Sequence, residues 1–375
     1  MKPVVDLVAG ARPNFMKVAP VVRALTAAGA LDFRIVHTGQ HYDEAMSDVF
    51  FAELGIPAPD AHLEVGSGPH GAQTARILER YEAHLMQRRP AATVVFGDVN
   101  STVAAALAAV KLGVPVAHVE AGLRSFDRTM PEEINRLLTD AIADLLLVSE
   151  PSGLANLRHE GLPESKLRLV GNVMIDTLLT QLPAARARGT ARRLDLDERG
   201  YGFVTLHRPS NVDEPATLAA LVALLHELAE ALPLVFPVHP RTREAAKRIG
   251  LAARLAPGQP RLVCLPPQPY LDSLALVAGA RVVLTDSGGL QEESSVLGVP
   301  CLTCRENTER PVTVELGTSR LVGNDPARIR AAFRDALDGR WPQGQPIPLW
   351  DGHAGIRVAR ALAEWLAEPG ADGAR

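Results

Sequence analysis

Two parallel β-sheets, each covered by helices on both faces, are the α/β fold class that this sequence predicts, and three observations carry it. Short β-branched or leucine-rich runs alternate with longer helical segments along the chain. The runs are apolar throughout, as strands buried on both faces are. The alternation stops in a strandless stretch and then starts again, so 375 residues divide into two similar halves.

The first half opens with a strand over Val4 to Val8 and a helix from about Lys17, then Arg34 to Thr38 and a helix from about Asp43. It continues through Thr93 to Phe96, a helix over Ser101 to Leu112, Pro115 to Val119, a helix from Pro131, and Leu145 to Val148. After Gly171-Asn172 comes a further helix, and then an arginine- and alanine-rich stretch from Ala184 to Arg199 reads as an exposed connection. The second series has strands at Phe203 to Leu206, Leu234 to Pro237, Arg261 to Cys264, Val282 to Thr285 and Cys301 to Thr303. A last helix spans about Gly355 to Ala367, and Glu368 to Arg375 are expected to fray. The expected domains are 1–170 and 171–354, with 355–375 packing back on the first.

Composition narrows the function. Net charge is −4, and no basic tract with interleaved aromatics marks a nucleic-acid binder. Asp6 breaks the first apolar run too early for a signal peptide, and no run reaches membrane-spanning length, so a cytoplasmic protein without a membrane partner is expected. The three cysteines, Cys264, Cys301 and Cys304, are an odd number in a long chain, which argues against a disulfide framework. Cys301 and Cys304 form a C-x-x-C with no second pair, so core packing is expected ahead of zinc or redox chemistry.

Open α/β sheets bind ligands beyond the carboxyl ends of their strands, so a cleft between the strand-end loops of two such domains is the expected site. The polar residues cluster there. Gly10-Ala11-Arg12-Pro13 with Asn14 and Lys17 is a glycine turn feeding a helix, either an anion site or a turn with solvated cations. It matches neither the Walker loop nor G-x-G-x-x-G. Asp98, in Gly97-Asp98-Val99-Asn100, either caps the next helix or acts as an acid. Glu120 follows His118-Val119, and Glu132 and Glu133 begin a helix, where acids are favoured by the helix dipole. Three acids on consecutive strand-end loops point to proton transfer between groups of separated pKa. In the second half, His207-Arg208 follows a strand directly, and Asp286-Ser287-Gly288-Gly289 presents N–H groups and a hydroxyl at a helix start. Glu293 lies one turn further on, suited to ribose hydroxyls, and Arg305 and Arg310 end another strand.

Taken in order, these segments resemble the non-hydrolysing UDP-N-acetylglucosamine 2-epimerase family over nearly the whole chain. The carriers are Gly10 to Pro13 with Lys17, Thr38-Gly39-Gln40-His41, Gly97-Asp98, Val119 to Arg124, Pro131-Glu132-Glu133 with Asn135-Arg136, Thr205 with His207-Arg208, Asp286 to Glu293, and Thr308 to Pro311. The resemblance implies a glycosyltransferase-B-type fold, two Rossmann-like domains with parallel sheets facing across a cleft. It also implies a homodimer that uses no metal or other cofactor. The implied reaction converts UDP-N-acetylglucosamine reversibly to UDP-N-acetylmannosamine, by eliminating UDP to a glycal and adding it back. Carried over by position, Asp98, Glu120, Glu132 and His207 are expected to be catalytic. His207 also matches a nucleotide-binding position, and Arg12, Lys17, Arg136, Arg208, Gln268, Ser287, Gly288, Gly289, Glu293 and Arg310 are expected to bind UDP or substrate.

The chain departs from the family pattern in several places. Ser273 stands where an aromatic often follows Tyr270, so uracil stacking is not expected there. The run His41 to Met46 lacks the pattern of members activated by a second UDP-sugar, so weak or absent activation is expected. The Arg124 to Pro131 loop is short, and Pro209-Ser210-Asn211 replaces a frequent charged pair, two changes that bear on sugar preference. The alternatives are an epimerase for a modified UDP-sugar of the 2,3-diacetamido uronic acid type, a hydrolysing 2-epimerase releasing N-acetylmannosamine, a glycosyltransferase and a UDP-sugar sensor. The acid cluster speaks against the last, since binding a dianion gains nothing from carboxylates.

Overall fold

The computed structural model describes residues 2–10, 12–39, 51 and 53–368, without the side chains of Arg12 and Pro13. The expected helix from Asp43, the Gln40-His41 pair, the His41 to Met46 run and the tail beyond Glu368 lie outside the described residues. The chain forms two compact units, Met1–Thr177 with Pro348–Arg375, and Leu178–Ile347.

The first unit holds a parallel sheet of seven strands: β1 (Val4–Ala9), β2 (Asp32–His37), β3 (Ala61–His62), β4 (Ala92–Phe96), β5 (Val116–Ala121), β6 (Leu145–Val148) and β7 (Leu167–Leu169). Their spatial order is β3-β2-β1-β4-β5-β6-β7. The second unit repeats the scheme with β8 (Gly202–Thr205), β9 (Leu234–Pro237), β10 (Leu262–Leu265), β11 (Val282–Thr285), β12 (Cys301–Thr303) and β13 (Ser319–Leu321), ordered β10-β9-β8-β11-β12-β13. The strands of this second sheet pair in parallel. Both sheets are Rossmann-like, and each reverses direction between its first and fourth strands, at β1/β4 and at β8/β11. At such a switch point the two following loops splay apart and leave a ligand crevice.

The central strands are buried at every position, as in β4 and β6, because helices cover both faces. Among the described residues eight helices carry proline in their first turn, where its missing N–H costs nothing and its fixed φ fits. Two prolines lie deeper, Pro20 and Pro183. Pro20, inside the helix Arg12–Ala28, cannot donate to the Met16 carbonyl, and the Thr177 hydroxyl donates to that oxygen instead at 2.6 Å. Gly355 packs the last helix, Ala354–Ala367, against the same turn; a Cβ there would come within 2.6 Å of the Pro20 carbonyl oxygen.

Two expectations need correction. The stretch from Ala184 to Arg199 is no loose connection, because the helix Val173–Ala187 runs into it and a short helix, Thr190–Arg193, follows. Asp272 ties it down, accepting from Arg188 at 2.7 Å, Thr190 at 2.6 Å and Arg193 at 2.8 Å. The first helix begins at Arg12, five residues before the expected Lys17, since proline is tolerated in a first turn. Cys264, Cys301 and Cys304 are free and buried. No helix among the described residues is long and apolar enough to cross a membrane.

Candidate active site

In the first unit, the loops after β1, β4 and β5 meet around Gly97. This glycine has φ +66°, and a Cβ on it would lie 2.6 Å from Lys17 Nζ, so the backbone turns under the ammonium. Lys17 Nζ reaches Glu120 Oε2 at 2.5 Å. Asn14 donates to the Phe96 carbonyl at 2.8 Å and fixes the start of the helix against the end of β4. A Cβ on Gly10 would come within 1.9 Å of Ser101 Oγ, which is why the turn after β1 demands glycine.

Glu120 has φ +77°, a conformation that costs a non-glycine residue about 1–3 kcal/mol. It sits where the β5/β6 register shifts between Val119 and Ala121, so a bulge turns this one carboxylate out of the strand's alternation.

Asp98 does not cap the following helix, Asn100–Lys111, whose N-cap is Val99 without a side-chain bond. Its carboxylate accepts from Arg136 Nη1 at 2.5 Å, and Asn135 donates to its main-chain carbonyl at 2.9 Å. Burial pushes the Asp98 carboxyl above its ordinary value; Arg136 and Lys17 pull it down, and Glu120 and Glu132 add to the rise. Glu132 is half-buried in the first turn of the helix Pro131–Ile142.

Glu133, read from sequence only as a helix-start acid, turns out to build the site. It accepts the amides of Ser125 and Phe126, each at 2.9 Å, and holds Arg136 through Nε at 3.0 Å and Nη2 at 2.8 Å. Burial works to raise this carboxyl, but the Ser125 amide and Arg136 outweigh it and hold it below its ordinary value. Asp98 and Glu133, on either side of one guanidinium, are therefore pushed apart in pKa. Arg136, expected to bind substrate, is only 2% exposed and is engaged by these two acids. The Arg12 side chain lies outside the described residues.

The second unit gathers a different set around β8 and β11. Asp286, buried at the end of β11, accepts the amides of His207 and Arg208, both at 2.8 Å, and the Asn211 side chain at 3.0 Å. Its other oxygen meets His207 Nδ1 at 3.0 Å, which leaves the opposite edge of the half-exposed ring available. Burial works to raise Asp286, but His207, the Arg208 amide and Asn211 prevail and hold it below its ordinary value. Asn211 also donates to the Cys304 carbonyl at 3.0 Å, so this departure from the family's charged pair straps the loop to β12.

Ser287, Gly288 and Gly289 open the helix Gly288–Leu297, whose N-cap Ser287 makes no side-chain capping bond. A Cβ on Gly288 would come within 2.6 Å of Glu309 Oε1, whereas one on Gly289 would meet nothing within 4 Å. Nothing in the chain's own packing requires glycine at 289. Arg208 Nε is buried without a hydrogen-bond partner among the described residues. Arg310 Nε pairs with Glu292 at 2.6 Å, and Arg305 Nη2 with Glu309 at 2.7 Å. Burial, with Glu292 close by, raises the Glu293 carboxyl to about 8, against an opposing effect of the Tyr270 hydroxyl. Gln268 turns back to donate to the Pro266 carbonyl at 2.7 Å.

The structure thus brings Lys17, Asp98, Glu120, Glu132 and Arg136 together in one unit, and His207, Arg208, Ser287, Gly288, Gly289, Glu293 and Arg310 onto the strand-end loops of the other. The structure-building residues Glu133, Asn135, Asp286 and Asn211 received no site role from the sequence, since only tertiary contact reveals them.

The sequence model of the UDP-N-acetylglucosamine 2-epimerase family matches residues 23–363. The chain is 40% identical over 363 residues to the UDP-N-acetylglucosamine 2-epimerase of Methanocaldococcus jannaschii, covering 95% of this chain and 98% of that one. It is also 40% identical over 358 residues to the UDP-2,3-diacetamido-2,3-dideoxy-D-glucuronate 2-epimerase of Pseudomonas aeruginosa, covering 95% and 98%. The crystal structure of the M. jannaschii enzyme in complex with UDP-GlcNAc and UDP superposes with a TM-score of 0.89 over 96% of this chain and 99% of that one, at 40% identity. Two Rossmann-like sheets in one chain are the glycosyltransferase-B class of fold. The chain belongs to the UDP-N-acetylglucosamine 2-epimerase family.

Proposed function

We propose that the protein interconverts UDP-N-acetylglucosamine and UDP-N-acetylmannosamine without hydrolysis. The observation that carries this reading is the grouping of Asp98, Glu120 and Glu132 about Lys17 and Arg136, three carboxylates in one site of which Asp98 is raised by burial. The C2 proton of the sugar is not acidic. Its removal is made feasible by loss of UDP, with the C2–H electron pair forming the C1–C2 double bond while the C1–O bond to phosphate breaks. Re-addition of UDP at C1, with a proton delivered to the opposite face of C2, gives the epimer.

Asp98 is the proton-transfer group on one face, because its raised carboxyl lies nearer to working pH than an ordinary aspartate. Glu120 and Glu132 share the other face, with Lys17 pairing with Glu120 at 2.5 Å. The N–H groups of Gly288 and Gly289 and the Ser287 hydroxyl, with Arg208, Arg310 and His207, hold the diphosphate as it leaves, and Glu293 and Gln268 take the nucleoside. Arg12 belongs with the diphosphate ligands by its motif. A cytoplasmic homodimer is the assembly proposed from the family resemblance, and light scattering of the eluting protein tests the dimer.

Incubation with UDP-N-acetylglucosamine in deuterated water should give UDP-N-acetylmannosamine by NMR, with deuterium at C2 of both sugars. Accumulation of free N-acetylmannosamine would instead assign a hydrolysing enzyme. Turnover confined to a UDP-diacetamido uronic acid would overturn the substrate assignment.

A further inference from the structure

His118 is fully buried on β5, two residues before Glu120. Its Nδ1 lies 2.6 Å from Asp140 Oδ1, and its Nε2 lies 2.8 Å from the carbonyl oxygen of Gly97. A carbonyl can only accept. Asp140 also accepts everywhere else: from the Gly122 amide at 3.0 Å and from Arg124 Nη1 at 2.7 Å. Arg124 in turn pairs with Glu160 at 2.7 Å, so the cluster holds two cations and two anions. Asp140 takes an amide N–H and a guanidinium N–H as a carboxylate does, which makes it an acceptor toward His118 as well. Both ring nitrogens of His118 must therefore donate; a neutral imidazole would set one lone pair against an acceptor in a site without solvent.

The pair reaches both loops that carry the proposed acids. Gly97, immediately before Asp98, is held at its carbonyl by His118 and at its amide by the Val119 carbonyl, 3.0 Å away. Gly122, just past the strained Glu120, is held at its amide by Asp140 and at its carbonyl by Asn156 at 2.9 Å.

We propose that His118 and Asp140 are a positioning pair that sets the placement of Asp98 and Glu120 together, with His118 a doubly protonated imidazolium donating from both nitrogens. The pair touches no reacting atom; it fixes the two backbone segments from which the acids project. The inference rests on the reading of Asp98 and Glu120 as the proton-transfer groups.

Two measurements test it. In the intact protein carrying 15N-labelled histidine, NMR at pH 7 should show a proton on each ring nitrogen of His118; a bare nitrogen would overturn the assignment, whatever the variants do. His118→Gln keeps one donor, and Asp140→Asn keeps the shape but not the charge. Each should lower kcat about 100-fold, as a displacement of about an ångström does, with KM and the Kd for UDP within twofold of the native values. Native-like kcat in a folded His118→Gln protein sinks the positioning role, as does a fall in kcat matched by equal losses in UDP affinity and Tm. Failure of the underlying reading is distinct, because Asp98→Asn would then turn over at the native rate.

Discussion

The two units share one topology and put it to opposite chemical uses. Both reverse strand order between first and fourth strands, and both carry polar loops there. In the first unit these loops are filled with ion pairs, Lys17 with Glu120 and Arg136 with Asp98 and Glu133, which separate the acidities of neighbouring carboxyls. In the second, one buried carboxylate, Asp286, is spent on gathering the backbone of His207 and Arg208, and the adjoining helix start keeps its N–H groups open. In the function proposed above, one scaffold tunes protons on one set of loops and receives an anion on the other. Side chains at the switch point decide the chemistry, and the sheet order does not.

If that division holds, damage to the first set should spare nucleotide binding. Asp98→Asn removes the tuned carboxyl and keeps a side chain that Arg136 can reach. We expect kcat to fall about 1000-fold, within the range of a lost acid–base group. Calorimetric titration with UDP should give a Kd within twofold of the native one. A parallel loss of UDP affinity would break the comparison and merge the two sets into one binding surface.

The converse experiment is smaller in effect. Gly289→Ala adds a methyl group where the chain has nothing within 4 Å. The unliganded protein should melt no earlier than the native one, since alanine is the better helix former by up to about 1 kcal/mol. UDP affinity should fall about tenfold, or roughly 1.4 kcal/mol, because the methyl group occupies the space a phosphate needs. Gly10→Ala makes the contrast, since its Cβ would lie 1.9 Å from Ser101 Oγ and would disturb folding directly. Unchanged UDP affinity in Gly289→Ala would remove the helix start from the anion site.

How much of this was legible depended on whether the cause was local. The strands Leu145–Val148, Leu234–Pro237, Val282–Thr285 and Cys301–Thr303 match the sequence reading residue for residue, because fully buried parallel strands write themselves as short apolar runs. The edge strands Ala61–His62, Leu167–Leu169 and Ser319–Leu321 were missed, since two or three half-covered residues carry no period. At the site, motifs named the acids and cations, but their partners came from elsewhere in the chain. Asp98 could be read as a helix cap until Arg136, 38 residues on, claimed its carboxylate. Glu133 looked like a dipole-favoured surface acid and is instead buried beneath the loop it anchors. Asp272, which orders the stretch after Ala184, is more than 70 residues distant from it.

The smallest expected effect concerns stability rather than rate. Glu293 has its carboxyl raised to about 8 by burial and by Glu292. In the unfolded chain it titrates near 4.3, so between these limits the folded state binds more protons than the unfolded one. Its contribution is fully present below the unfolded value and is lost as pH rises through 8, so the native Tm should decline from pH 5 to pH 8.5 in the absence of UDP. Glu293→Gln keeps the shape without a titrating proton, and its Tm should decline less steeply over the same range. Asp98 of the first unit is raised as well, but Arg136 and Lys17 oppose the effect of burial there, so Asp98→Asn should flatten the native slope less than Glu293→Gln does. Equal slopes in native and Glu293→Gln proteins would place the neutral buried acid elsewhere and leave the second unit without the protonated carboxyl that sets it apart from Glu133, which is held below its ordinary value in the first.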